Sequence, residues 1–567
     1  MRRLIRCCPL MLICLLFVFS LAAVGYVAVL SPSSLGVTET LLVAVGAALA
    51  VTGLCAAALR GWGAGRLIPL LLGLALWLGC AVGVMYFVLH RSDVTGRYSG
   101  QNRAVEATVE RIRYSSASYM IFDARVSSVD GEACSLPVTV RSQGAPGLRV
   151  GERFRAAADI SETEPYDGSR SSLLYSVSEG RFLTLDISAS SVYGRERSDS
   201  ITARFARLRE RVGESLSVRL GDEAGLCRAL MLGDRTELGD GISDDFSGLG
   251  ISHIVAVSGL HLGIITAAVS FVLRRLRLPY GIRITATAVC ALMFAALTGF
   301  SSSVLRSLLM LLIASLAKLG GRSGHMPTSL SAAVALIVLC RPCAALDAGL
   351  VLSFSSTFGI AVIGAPLCRR LGNRISDCVH DVRDRYFSRR PSELRGAAAG
   401  LAVGINEFLI DSVIIGASAN VFTVPLVYLY FGFSSAYSVP ATVLFSPLAG
   451  LLLTLSPLAL LPGGMFCSAF FAGSVGALSF FIAQLASVCA SLAFEMGPLG
   501  AAAITAAMLH GLPFVLIGLP ALAYRSGRRR RALTALSLVL GAVMLVCGIA
   551  SAYLLAAAGV GTAPFSV

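Results

Sequence analysis

Long apolar runs without charged residues alternate with short arginine-rich segments along most of this chain. Each run has about the 20 residues that a helix needs to cross the hydrocarbon core of a bilayer. Near the N-terminus the pattern predicts three spans, at 7–30, 40–59 and 67–89. After residue 250 it predicts spans at 251–273, 283–300, 303–320, 328–345, 346–366, 398–418, 439–461, 469–493, 503–524 and 532–556. We therefore expect a polytopic α-helical membrane protein with about 12–13 spanning helices.

Residues 91–199 interrupt this pattern, because charge is frequent there and apolar residues alternate with polar ones. Such alternation is typical of half-buried strands, and it predicts strands over 104–114, 119–129 and 136–142. Asp130-Gly131 and the segment 144–147 carry turn residues. We expect a small all-β domain, in the form of a barrel. Between residues 96 and 220 there are 18 arginines and 16 acids, so an ordinary solvated domain and a DNA-docking domain both stay open.

The segment 200–222 is predicted to form an amphipathic helix with an arginine-rich face. A helix lying on the membrane surface is the favoured interpretation, and a partner-binding helix is the alternative. The apolar residues recur at helical spacing and are Ile201, Phe205, Leu208, Val212, Leu216 and Leu220.

Composition supports residence in a membrane, since 55% of the residues are hydrophobic and 14% are charged. The net charge of +14 comes almost wholly from arginine, because Lys318 is the only lysine. The positive-inside rule places the N-terminus and the arginine-rich segments in the cytoplasm, and residues 91–199 outside. The segments concerned are 274–283, 369–395 and 525–531.

This sidedness constrains the segment 419–438, which contains Pro425 and Gly432. If it made a full crossing, the segment 525–531 would lie outside, against the positive-inside rule. We therefore predict a broken or re-entrant segment that does not fully cross. Such backbone is tolerated where protein shields it or where it lines a wet cavity.

Candidate chemistry is concentrated between residues 230 and 264. Asp234 and Arg235 occupy a turn, and an apolar run with His253, Ser258, Gly259 and His261 follows. Ser258 and His261 are three residues apart and share a helix face. A nucleophilic pair in an intramembrane hydrolase is one interpretation, although the pattern shows no acid that would orient the histidine. A polar face toward a cavity or partner helix is favoured.

Charged residues within the apolar runs are a second candidate feature. Arg306 should face the interior of the helix bundle, because a charge in hydrocarbon is costly. Glu407 and Asp411 are four residues apart and could neutralise Arg306 or respond to protons. DNA phosphates could also contact Arg306. The alternative for the two acids is the proton relay of a small-solute transporter.

The segment 230–264 resembles the signature of the ComEC competence proteins, whose membrane channel brings single-stranded DNA into bacteria. The matching residues are Gly233, Asp234, Arg235, Phe246, Gly250, His253, Ala256, Ser258, Gly259, Leu260 and His261. Three further motifs follow in the family's order, at 297–310 with Ser303 and Arg306, at 346–360 with Asp347 and Ser353, and at 423–435. The chain departs from the family pattern at Ser307, Leu350 and Thr442.

The resemblance implies an arrangement of domains. Residues 1–90 would hold three transmembrane helices, 91–199 an extracytoplasmic OB-like domain and 200–222 the surface helix. Residues 223–500 would form the competence-type channel, and 501–567 the C-terminal transmembrane helices. The membrane concerned would be the bacterial cytoplasmic membrane.

The resemblance also implies a non-enzymatic protein whose partners are single-stranded DNA and the lipid bilayer. Many family members carry a metallo-β-lactamase-like domain with an H-x-H-x-D-H motif, which the six histidines here do not form. We therefore expect the short form, which depends on a separate nuclease. A DNA receptor and a cytoplasmic helicase or ATPase are the other expected partners, because the sequence has no Walker A motif. No cofactor and no metal site is predicted, and monomer and dimer both stay open.

Overall fold

A computed structural model describes most of the chain, and it divides the protein into two compact units. The described residues are 9–30, 67–116, 118–144, 147–163, 170–197, 201–322, 325–368, 393–431, 435, 437–460 and 465–492. The first unit comprises residues 1–238, 257–351 and 453–476, and the second comprises 239–256, 352–452 and 477–567. The predicted spans 40–59, 503–524 and 532–556 lie outside the described residues, as do 369–392 and 525–531.

Two N-terminal apolar helices, α1 (Pro9–Leu30) and α2 (Leu67–Val84), pack closely against each other. A Cβ on Gly79 would lie 2.4 Å from the carbonyl oxygen of Phe17, so only glycine permits this approach. Beyond α2 the chain stays helical through a π-helical turn, Met85–His90, into α3 (Arg91–Tyr98). The strands of the β-rich domain therefore begin after residue 98, and Val94 of α3 belongs to the core of that domain.

Six strands form a sheet that closes on itself, as predicted for a barrel. The strands are β1 (Gly100–Ser115), β2 (Tyr119–Val129), β3 (Glu132–Gln143), β4 (Glu152–Glu162), β5 (Leu183–Ser188) and β6 (Val192–Arg197). Their order is β1-β2-β3-β5-β4-β6, and an additional β1–β4 pairing closes five of them into a ring. Among the described strands, only β3 and β5 pair in parallel. A helix, α4 (Arg170–Ser178), separates β4 from β5, so the domain is not purely β.

Alternating apolar side chains fill the barrel interior, where Phe122 and Phe154 meet edge to face with ring centroids 5.7 Å apart. The turn between β2 and β3 is the predicted Asp130-Gly131, and both residues have positive φ, +49° and +84°. Such a pair suits a tight hairpin, because its twist matches that of the strands. The closed ring supports the OB-like prediction, which stays a prediction.

The predicted helix after the barrel is confirmed as α5 (Ile201–Leu220). It packs against a short buried helix, α6 (Ala224–Leu232), which follows it directly. The buried face of α5 includes Leu216 and Leu220, whereas Leu208 is exposed. The predicted apolar stripe is therefore only partly buried within the protein, and the position of α5 at a membrane surface stays a prediction.

The remaining helices are mostly apolar. They are α7 (Asp240–Gly248), α8 (Ser252–Val255), α9 (Gly259–Arg275), α10 (Tyr280–Leu297), α11 (Ser302–Leu319), α12 (Met326–Cys340), α13 (Ala348–Gly359), α14 (Glu393–Phe431), α15 (Ser438–Ala459) and α16 (Met465–Leu492). Within the described ranges, five helical stretches are long and apolar enough to cross a membrane: Tyr280–Leu297, Ser302–Leu319, Ala348–Cys368, Ser438–Ala459 and Phe470–Ser491. The protein is a polytopic helical membrane protein with a β-rich domain.

Two predicted spans need correction. The span 251–273 is broken, because the chain is non-helical between α8 and α9 at residues 256–258. Conversely, no break separates 398–418 from 419–431, since α14 is one helix of 39 residues that contains Pro425. Its length of about 58 Å exceeds the hydrocarbon thickness, and an unbroken helix cannot turn back. Helix α14 is therefore continuous through residue 431, and the number of times that this part of the chain crosses the membrane stays a prediction.

Candidate functional site

The Leu-Gly-Asp-Arg motif lies at the C-terminus of α6. Gly233 ends the helix with φ +67°, a conformation that favours glycine. The carboxylates of Asp234 and Glu237 both accept hydrogen bonds from the buried guanidinium of Arg228, which α6 supplies. Burial alone would raise the pKa of Asp234, but hydrogen bonds from Arg228 and Thr236 outweigh it and hold that pKa below its usual value.

The same turn contacts the start of the second signature motif. A Cβ on Gly233 would lie 2.9 Å from Cγ2 of Val257, so the turn packs directly on this segment. Ser258 and His261 form a capping box at the N-terminus of α9, in which His261 Nδ1 accepts the backbone N–H of Ser258 at 3.0 Å. The pair predicted from spacing thus does meet, and its contact stabilises the beginning of a helix.

Helix α11 brings Arg306 to this helix start. A Cβ on Gly259 would lie 2.2 Å from Ser307 Oγ and 3.1 Å from Arg306 Nη2, so the two helices approach closely there. Arg306 is 5% exposed and donates hydrogen bonds to Ser307 Oγ at 3.2 Å and to Met310 Sδ at 3.2 Å. The predicted inward orientation of Arg306 is therefore what the structure shows.

Asp347 connects two of the predicted motifs. Its Oδ1 accepts the backbone N–H of Gly349 at 2.9 Å, and the carboxylate also hydrogen-bonds the hydroxyl of Ser302. Ser302 is the first residue of α11. Ser303 contributes its carbonyl oxygen, which accepts the hydroxyl of Ser307 at 3.0 Å. The motifs at 297–310 and 346–360 therefore meet at the start of α11.

In the second unit, the segment around His253 packs on the last predicted motif. A Cβ on Gly250, whose φ is +72°, would lie 2.8 Å from Cβ of Ser435. Phe246 contacts Phe445 with ring centroids 5.8 Å apart. The imidazole of His253 hydrogen-bonds the backbone of Gly250. These contacts hold the His253 segment against the residues that precede and open α15.

The other predicted residues of the second unit lie on α13 and α14. The carbonyl oxygen of Ser353 accepts hydroxyl hydrogen bonds from Ser356 and Thr357, at 3.1 and 2.8 Å. Asp411 hydrogen-bonds the thiol of Cys368, and Glu407 lies one turn earlier on α14. Arg306 belongs to the first unit, so its pairing with Glu407 or Asp411 stays a prediction.

Sequence reasoning missed Arg228, Ser302 and a buried charged group on the face of β2 opposite the barrel core, which Phe122 and Ala124 occupy. Asp123 is fully buried, with its carboxylate oxygens 2.8 Å from Arg113 Nε and 3.1 Å from Arg181 Nη2. A basic residue within the apolar stretch of α6 was the available signal for Arg228. Within the described ranges, no group of three or more His, Cys, Asp or Glu residues is placed to hold a metal ion.

Comparison with known proteins gives two relatives of similar identity. The chain is 34% identical over 146 residues to ComE operon protein 3 of Bacillus subtilis, covering 24% of this chain and 18% of that protein. It is 36% identical over 143 residues to competence protein ComA of Neisseria gonorrhoeae, covering 24% of this chain and 20% of that protein. The matches thus span about a fifth of each relative's length. No solved structure matches the chain.

A family model provides the broader comparison. It covers residues 230–523, and its description is "Competence protein". This range contains the capping box at Ser258 and His261, the Arg306 contact and the motifs that follow. Because the match extends over more than half of the 567 residues, the chain belongs to the competence-protein family.

Proposed function

We propose that this protein is a channel that moves single-stranded DNA across the bacterial cytoplasmic membrane during natural transformation. Membership of the competence-protein family supports a role in DNA uptake. The observation within the molecule that carries the proposal is the position of Arg306 at the start of α9. The channel would be formed by residues 223–500, and the remaining helices would complete the membrane domain.

Arg306 and the N-terminus of α9 together favour an anion. The guanidinium lies beside Gly259, the first residue of α9, in an apolar part of the chain. A helix N-terminus carries partial positive charge and exposes backbone N–H groups, so it attracts phosphates and carboxylates. An arginine beside it adds a full charge and a fork of donors that matches a phosphate. A phosphodiester passing this point would be stabilised by both.

The proposed orientation follows from the arginine-rich segments. With these segments in the cytoplasm, the barrel lies outside, where it would receive one DNA strand. Its closed ring of five strands supports an OB-like role in strand binding. A DNA receptor would deliver the strand, a separate nuclease would degrade its complement, and a cytoplasmic helicase or ATPase would drive the movement.

The test is deletion of the gene, followed by transformation with labelled DNA. We expect deletion to abolish entry of label into the cytosol and a plasmid copy to restore it. A copy with Arg306→Ala should fail to restore entry, whereas Arg306→Lys, which keeps the charge, should restore part of it. Membrane fractionation gives the amount of each variant. Unchanged DNA entry in the deletion strain would contradict the proposal.

The structure provides a physical reason to prefer this channel to an intramembrane hydrolase. His261 Nδ1 accepts the backbone N–H of Ser258, so this nitrogen is engaged in the helix cap. A catalytic pair requires the histidine to act as base toward the serine hydroxyl. The small-solute transporter with Glu407 and Asp411 as relay would instead show uptake of a small anion that does not depend on DNA.

A further inference from the structure

Three arginines from three separate elements converge where the barrel meets α5 and the turn after α6. Arg111 lies on β1, Arg209 on α5, and Arg235 in the turn after α6. Burial lowers the pKa of both Arg209 and Arg235, and the charge of Arg111 lowers each of them further. Arg111 is therefore close enough to Arg209 and to Arg235 for its charge to act on both.

Backbone packing brings β1 and α5 together at this point. The N–H of Gly151 donates to the carbonyl of Val109 at 2.8 Å, and a Cβ on Gly151 would lie 3.0 Å from Cβ of Ala203. Arg111 follows Val109 by two residues along β1. Arg209 follows Ala203 by six residues, or about 9 Å, along α5. This packing places the strand that carries Arg111 beside the helix that carries Arg209.

The Arg209 guanidinium also reaches the turn between α10 and α11. A Cβ on Gly299 would lie 3.8 Å from Arg209 Nη1. The next residue, Phe300, has φ +53° and is 42% exposed. Exposed aromatic rings beside basic side chains are typical of surfaces that bind single strands, because the bases can stack on the rings.

The nearby carboxylates do not neutralise this cluster. Asp234 attracts Arg209, but Asp234 and Glu237 are both hydrogen-bonded to Arg228. In the part of the chain that the structure describes, Arg111, Arg209 and Arg235 form no ion pair with a carboxylate. The side chains of Arg111 and Arg235 both remain partly accessible to solvent. Two acids among four arginines leave an excess of two positive charges, open to a ligand.

We propose that Arg111, Arg209 and Arg235 form a binding site for the phosphodiester backbone of single-stranded DNA between the barrel and the membrane helices. Arginine forks bind phosphate oxygens through paired hydrogen bonds. Contacts to the backbone fix the position of a strand and do not read its sequence, so the site would accept any sequence. This inference rests on the proposed function and adds the location at which the strand is held.

The test uses the full-length protein in phosphatidylcholine nanodiscs and a fluorescent oligothymidylate. We expect the triple variant Arg111→Gln, Arg209→Gln, Arg235→Gln to bind it about tenfold more weakly or worse, because charged hydrogen bonds are lost. The slope of log affinity against log salt should become shallower by about two, since each phosphate contact to a single strand contributes about 0.7. The corresponding triple lysine variant should keep most of the salt slope.

The matched control replaces Arg97 of α3 and the barrel residues Arg103 and Arg125 by glutamine, since each of these arginines is paired with an acid. It removes the same charge and should bind nearly as the wild type does. The proposal would be overturned if both triple variants lost the same affinity for the oligonucleotide. It would also be overturned if the Arg111, Arg209 and Arg235 triple variant lost none. If that variant bound the oligonucleotide normally but lost binding to phosphatidylglycerol vesicles, the result would indicate a lipid site. If gene deletion abolishes DNA entry while the triple variant binds normally, this site alone fails.

Discussion

Gly259 and Ser307 lie against each other at the point where α9 begins beside α11. A Cβ on Gly259 would be 2.2 Å from the hydroxyl oxygen of Ser307 and 3.2 Å from its Cβ. The contact explains why a residue without a side chain follows Ser258. It also sets the distance between the two helix backbones on which Arg306 and His261 are held.

Replacing Gly259 by alanine should therefore force the helices apart. We expect a loss of about 1–3 kcal/mol in the free energy of unfolding, as in other overpacked sites. Thermal denaturation of the detergent-solubilised protein measures it. Gly263→Ala is the matched control, because no atom lies within 4 Å of a Cβ there, and it should be neutral or slightly stabilising. Adding Ser307→Ala should recover part of the Gly259→Ala loss, and no recovery would argue against this contact.

The carboxylate of Asp234 predicts a pH dependence. Hydrogen bonds from Arg228 and Thr236 hold the pKa of Asp234 below its usual value in the folded protein, although burial opposes them. At a pH below the unfolded value of about 3.9, the unfolded state binds more protons, so the contribution of Asp234 is lost as the pH falls through the folded pKa. The contribution is fully present above that unfolded value.

Asp234→Asn should consequently be less stable than the wild type at pH 7, with a difference that shrinks as the pH falls below about 4. Denaturant titrations of both proteins between these pH values measure it. A difference that stays constant with pH would show that the Asp234 carboxylate does not titrate in this way.

The buried Asp123 predicts a large effect in the barrel. Asp123→Asn would remove the counter-charge of Arg113 and would leave Arg181 with the more distant Glu179, 3.9 Å away, at a cost of about 3–5 kcal/mol. Pulse proteolysis of the full-length protein measures cleavage within the barrel. Glu132→Gln is the control, because its pair with Arg97 is exposed to solvent and should contribute little to stability. Similar stability of the two variants would contradict the role of Asp123.

The continuity of α14 leads to a prediction about the side of the membrane on which its C-terminal part lies. If 398–418 crosses the membrane once and the chain then returns through α15, residues 419 and 437 both lie on the same side. Single cysteines introduced as Ala419→Cys and Tyr437→Cys should then react with a membrane-impermeant maleimide from one side only. Labelling of the two positions from opposite sides would mean that 419–438 makes a crossing of its own.

Local patterns in the sequence were sufficient for the elements whose partners are close in the chain. The Asp130-Gly131 turn and the helix α5 were predicted because turn conformation and helical spacing depend on neighbouring residues. The pairing of β1 with β4 was not predicted, because it joins segments that are far apart in the sequence. The predicted break in α14 was wrong. A helix can contain a proline when neighbouring groups satisfy the backbone carbonyl that the proline leaves without a donor.

The candidate site was predicted in its residues rather than in its contacts. The spacing of Ser258 and His261 indicated one helix face, and the structure shows a cap at the helix start. No pattern indicated that Arg228 engages both Asp234 and Glu237, because this requires the turn after α6 to fold back on that helix. The excess positive charge around Arg209 also could not be predicted, because it depends on contacts between distant segments. The total charge of residues 96–220 is nearly balanced.

The helical path from α2 through Met85–His90 into α3 makes the attachment of the barrel to the lipid-embedded part stiff on this side. A flexible tether would let the barrel rotate freely and search the surroundings for a strand. A continuous helix instead passes its own tilt on to whatever it carries, so, with α2 across the bilayer as predicted, the barrel entrance would keep a set direction relative to the bilayer plane. A change in the tilt of α2, for example in a thinner membrane, would re-aim that entrance without altering any contact within it.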